Sequence, residues 1–143
     1  MPNAEYNARK FGTYLTIPFF ATDLTTGASN SDLLCGVTAN TLYIAPQAGS
    51  VVAISGETAV DVTAGSIALR AHKASTEFAQ TGYPVATIDS THDSTGSFAD
   101  VREGALTFAA GDRLGISATS TTDLAPTNTV DVTAFLLIQL NPN

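Results

Sequence analysis

Residues 106–140 read LTFAAGDRLGISATSTTDLAPTNTVDVTAFLLIQL, and two alternating runs within them decide the fold. In the first run Leu114, Ile116 and Ala118 alternate with Arg113, Gly115, Ser117 and Thr119. Successive side chains of a strand point to opposite faces, so this period of two predicts a strand with one apolar face and one small, polar face. In the second run Val130, Val132, Ala134, Leu136, Ile138 and Leu140 share one side. The other side begins polar at Asp131 and Thr133, turns apolar at Phe135 and Leu137, and ends at Gln139. A strand that is apolar on both faces needs cover on both. One cover is the protein's own core. The expected second cover is another subunit, because 143 residues leave little material for a further layer.

The same alternation recurs upstream. In Thr13–Ala21, TYLTIPFFA, one face takes Leu15, Ile17, Phe19 and Ala21, and the other takes Tyr14, Thr16, Pro18 and Phe20. Pro18 has no N–H to give a ladder, which predicts an edge strand or a bulge. Shorter strands are expected at Thr41–Ala45, Ser50–Ser55, Ser66–Ala74, Val85–Asp89 and Ser97–Val101. Within Ser66–Ala74, Ile67, Leu69 and Ala71 face inward while Arg70 and His72 face outward. Gly56-Glu57 reads as the start of a turn, Ala109–Asp112 as a tight turn, and Ser120–Thr129 as a surface loop. The pentapeptide VDVTA occurs at Val60–Ala64 and Val130–Ala134, but its flanks differ and its residues are abundant, so coincidence explains it better than duplication.

No segment carries a sustained helical period with caps. About eight to ten short strands separated by turn formers indicate an all-β fold, and an antiparallel jelly-roll β-sandwich covers that many half-apolar strands economically. The expected organisation is a single jelly-roll domain over residues 13–143 with a short N-terminal arm at 1–12. The arm, MPNAEYNARKFG, reads either as a frayed terminal tail or as an arm that reaches a neighbouring subunit with Tyr6, Arg9 and Phe11 as its anchors.

Composition narrows the function classes. The chain is 44% hydrophobic and only 13% charged, about half the usual charged share. That scarcity fits a surface partly covered by partners. The net charge of −7 with six Lys and Arg argues against a nucleic-acid partner and against an anionic membrane surface. The N-terminus has no apolar core of a signal peptide, and no apolar run approaches the roughly 18 residues of a membrane span. Synthesis in a cytosol is expected. The single Cys35 allows no intrachain disulfide and reads as a small buried hydrophobe.

No catalytic constellation emerges. Asp89, His92, Asp93 and Asp100 in DSTHDSTGSFAD are the nearest approach to a cation site, but Ser90, Thr91 and Ser94 interrupt the calcium-loop pattern. No G-x-S-x-G elbow is present, and only His72 and His92 are available as bases. Asp61, Asp112, Asp123 and Asp131 have no pairing readable from sequence. Four tyrosines without a tryptophan make a poor sugar-stacking set. No catalytic residue, cofactor or metal ligand is therefore assigned, and no enzyme activity is expected.

The order of motifs resembles a group of tailed-bacteriophage virion proteins with tumour-necrosis-factor-like jelly rolls. The resemblance lies in Ala45-Pro46, Gly49 and the strand Val51–Ile54. It continues in Phe108, Gly111, Asp112, Leu114 and Gly115, the loop Pro126-Thr127 and the final apolar strand. It covers Thr41–Leu140 in patches. It implies a homotrimer and, at this size, a capsid decoration (cement) protein. Such a protein binds the major capsid protein on the outer surface of the virion and stabilises the shell by bridging subunits. Phe20, Tyr43, Phe135 and Leu137 are then candidate trimer-interface residues, and Tyr6, Arg9 and Phe11 a candidate capsid-binding arm. The alternative is a phage head-fibre or tail adhesin domain that binds host-surface glycans through Ser90–Gly96 and Ser120–Thr129.

Overall fold

The computed structural model describes residues 13–35, 42–73, 76–77, 85–91, 94–100 and 106–141. The N-terminal arm with Tyr6, Arg9 and Phe11 lies outside the described residues, as do Tyr83, His92, Asp93 and Val101. The strands in chain order are β1 (Thr13–Leu24), β2 (Ser31–Asp32), β3 (Tyr43–Ile44), β4 (Gly49–Thr58), β5 (Ser66–Lys73), β6 (Thr76–Glu77), β7 (Ala86–Asp89), β8 (Gly96–Asp100), β9 (Thr107–Phe108), β10 (Arg113–Ser120) and β11 (Val130–Leu140). No helix occurs among the described residues.

The two C-terminal runs become inner strands of opposite sheets. The first sheet runs β1-β11-β4-β8, with β9 beside the start of β4. In the second, β10 lies between β5 and the short pieces β2 and β3, and β5 carries β6 and β7 on its far side. Every pairing is antiparallel. The pairs nest: β1 with β11, β2 and β3 with β10, β4 with β8 and β9, and β5 with β7. Nesting of this kind is one long hairpin wound around itself, which is the jelly roll the alternation predicts.

The core is the product of that alternation. Val130, Val132, Ala134, Leu136 and Ile138 of β11 face Ile67, Leu69 and Ala71 of β5 and Leu114, Ile116 and Ala118 of β10, all buried. Each large side chain sealed here contributes about 1.5–3 kcal/mol relative to exposure. From β1, Ile17 and Phe19 complete the first sheet's inner face.

Pro18 sits on an edge, as its missing donor requires. Phe20 exchanges both backbone hydrogen bonds with Leu34, at 2.9 and 2.7 Å, on the side of β1 away from β11. By the two-residue period Pro18 turns its nitrogen the same way, so no bond to β11 is lost. The adjacent Leu33 N–H donates to Ile116 of β10 at 2.9 Å. Residues 33–34 thus stitch the two sheets together along one side of the sandwich.

One turn expectation fails. β4 continues through Gly56 and Glu57 to Thr58, with Gly56 paired to Ala134 on one side and Ser97 on the other. Gly56 is not a breaker here. A Cβ at that position would overlap Leu69 Cδ1 from the opposite sheet, so the glycine makes room for that side chain. The expected tight turn at 109–112 is present: Gly111 takes φ 86°, and the Ala109 N–H donates to the Asp112 carboxylate at 2.8 Å.

Candidate interaction surface

The outer face of the first sheet is read directly from its register. Pro18, Phe135, Ser55 and Phe98 form one rung across the four strands. Phe20, Thr133, Glu57 and Gly96 form the rung on one side of it, and Thr16, Leu137, Ala53 and Asp100 the rung on the other. Single exposed hydrophobes are ordinary, but contiguous ones mark interaction sites. Here Phe98 is 72% exposed, Tyr14 57% and Phe20 37%, and Phe135 and Leu137 are half-buried. None of the three expected interface residues on this face is sealed in the subunit's own core.

The fourth expected interface residue, Tyr43, lies elsewhere. It sits on β3 at the margin of the second sheet, half-buried against the core. Its neighbour Ile44 points out and is 61% exposed, directly paired with the exposed Arg113. The four candidates therefore occupy two surfaces. Alternation identified the apolar outer positions, but not which of them the second layer would cover, and Phe98 and Ile44 were missed for that reason.

Charge is divided between the sheets. The strands of the first sheet contain Asp23, Glu57, Asp100 and Asp131 and no Lys or Arg. The described cations Arg70, Lys73 and Arg113 all lie on β5 and β10 of the second. Lys73 pairs with Asp112 at 3.8 Å. Beside Glu57 the first sheet has a shallow depression of about 270 Å3, lined by Ser55, Gly56, Glu57, Thr95, Gly96 and Phe135.

The second sheet's outer face is different in kind. His72 points away from the core, as expected, yet it is only 2% exposed. Its ring lies over Gly115, where a Cβ would come within 2.7 Å of the imidazole and 2.9 Å of Leu42 Cδ2. His72 Nε2 lies 3.0 Å from Asp32 Oδ1. Ser117, also buried, is the cross-strand partner of Asp32 and of Arg70. The structure thus gathers an Asp, a His and a Ser on neighbouring strands, but both Ser117 and His72 are shut away from solvent and offer no substrate access.

The loop candidates are largely occupied by structural work. Asp89 Oδ1 accepts from the Thr91 N–H and hydroxyl, both at 2.8 Å, which closes a local turn. Among the described residues no three metal-ligating side chains cluster. In the loop after β10, Ser120 Oγ donates to Thr25 O at 2.6 Å and accepts from Ala28 N at 2.8 Å, while Asn128 Oδ1 accepts from Thr26 N at 2.7 Å. These polar groups hold the 25–28 loop and are not offered to a ligand. Cys35 is half-buried against the core, and burial pushes its thiol pKa up.

No protein-family model and no curated protein sequence matches the chain. Solved structures do. A chain in the acidic stable capsid structure of Helicobacter pylori bacteriophage KHP30 is 13% identical with a TM-score of 0.50, over 93% of this chain and 91% of that one. A chain in the capsid asymmetric unit of cyanophage Pam1 is 14% identical with a TM-score of 0.46, over 90% and 86%. One in the native virion of Kashmir bee virus at acidic pH is 12% identical at 0.37, over 92% and 77%. The first likeness agrees with the jelly-roll reading of the strand order and is a statement about fold. The other two fall below the similarity that carries an argument.

Proposed function

We propose that this protein is a structural virion protein. In this reading it is a homotrimeric decoration protein of the tumour-necrosis-factor-like type that binds the outer surface of a phage capsid and ties neighbouring subunits of the major capsid protein together. The observation that carries the proposal is the apolar outer face of the first sheet, where Phe98, Phe20 and Tyr14 stand exposed beside Phe135 and Leu137. Such a face is costly to leave wet and calls for a partner. The jelly-roll likeness to a phage capsid chain and the motif order in 41–140 support the setting. The role is mechanical, not enzymatic: three linked contacts bind far more tightly than one, so each bridge resists outward pressure even when single contacts are small. In this scheme the arm residues Tyr6, Arg9 and Phe11 reach the shell.

The test is to mix purified protein with shells that lack it. Saturable binding and a raised shell-disruption temperature are expected, and shells that neither bind the protein nor gain stability would refute the role. The adhesin reading is favoured by one observation, the exposed ring of Phe98 beside Asp100 and near Glu57, a combination able to stack and hydrogen-bond a sugar. A glycan array probed with the purified protein separates the two readings.

A further inference from the structure

We infer that copies of this chain associate head to tail, with Arg113 of one copy entering the depression beside Phe135 of the next and pairing with Glu57. The inference deepens the homotrimer reading above and rests on it.

The depression follows from the register. Phe135, Ser55 and Phe98 share a rung, and Glu57 lies on the next rung of the same face. The depression of about 270 Å3 runs from Phe135 across the small Ser55 and Gly56 to Glu57. An aromatic wall beside a carboxylate suits an arginine, which stacks on a ring and pairs with a carboxylate at once.

Charge selects the partner surface. If two copies met through the same face of the first sheet, Glu57, Asp100 and Asp131 would confront their own images, with no described cation on those strands to relieve them. The opposite sheet supplies what is missing. Lys73 is engaged with Asp112, and Arg70 is half-buried. Arg113 is exposed and makes no ion pair among the described residues. It also stands beside the exposed Ile44, so cation and apolar knob arrive together. Contact between unlike surfaces is heterologous and closes into a ring when the rotation permits.

The experiment is a charge swap read by sedimentation equilibrium on the full chain at about 0.15 M salt. Four proteins are compared: wild type, Glu57→Arg, Arg113→Glu and the double variant. Both positions are exposed, and unchanged circular dichroism melts show that each variant folds; Glu57→Gln and Arg113→Gln serve where a reversal perturbs folding. Each reversal is expected to weaken assembly at least tenfold, and the double variant to recover to within a few fold of wild type. Assembly insensitive to both reversals, or a double variant no better than the singles, overturns the pairing while leaving the oligomer intact. Weakening by Glu57→Arg without weakening by Arg113→Glu overturns the assignment to Arg113. A wild-type monomer overturns this inference together with the trimer on which it rests.

Discussion

Replacing Gly115 by alanine tests the covered outer face of the second sheet. The added methyl would lie 2.7 Å from His72 Cε1 and Nε2 and 2.9 Å from Leu42 Cδ2. Comfortable carbon contacts are about 3.5–4.0 Å, so the ring must retreat by roughly 1 Å. It has nowhere free to go, being 2% exposed, and retreat disturbs its 3.0 Å approach to Asp32. Overpacking of this kind costs about 1–3 kcal/mol. For a chain of this length that lowers the melting temperature by about 3–12 °C. Urea titration monitored by circular dichroism gives the free energy, and a thermal scan gives the shift. The control is a cycle with His72→Ala. Removing the ring vacates the space, so adding Gly115→Ala to that background is expected to cost at least about 1 kcal/mol less than in wild type. A Gly115→Ala protein within about 0.5 kcal/mol of wild type, or strictly additive variants, would refute the packing of His72 on Gly115.

Other substitutions separate the core from the exposed face. Leu136→Ala, deep in β11, is expected to lose about 2–5 kcal/mol in urea unfolding, and a loss below about 1 kcal/mol contradicts its place between the sheets. Phe98→Ser is expected to leave the subunit's own unfolding free energy within about 0.5 kcal/mol while weakening self-association in sedimentation; a large fold-stability loss would mean the ring packs within its own subunit. The Cys35 thiol, its pKa raised by burial, carries less thiolate at any given pH than an exposed cysteine. It should therefore react more slowly with iodoacetamide at pH 8 than a cysteine peptide does, and faster alkylation contradicts that burial.

The strands that fix the fold were legible because their two faces differ. Leu114, Ile116 and Ala118, and the long series from Val130 to Leu140, place an apolar residue at every second position, and that inward set is the one the structure buries. Gly56 misled because a glycine after a short apolar run is usually a turn signal, whereas here it clears space for Leu69, which comes from another strand of the opposite layer. His72 was correctly placed on the outer side, but alternation gives direction and not burial; its cover depends on Gly115, Asp32 and Leu42 from three separate segments. The same limit hid Phe98, whose exposure depends on its being the outermost ring of a rung that begins at Pro18. The two copies of VDVTA make the point from the other side. At 130–134 it is strand, while at 60–64 only Ala64 bridges, to Ala125, so five residues do not set their own conformation.

The central claim is that the apolar face of the first sheet is shielded by other copies of this chain. Sedimentation equilibrium of the purified protein at micromolar concentration tests it most directly. The predicted mass is about 44 kDa, three times the 14.7 kDa chain. A single species at 14.7 kDa, with Phe98 and Phe20 left in water, contradicts it.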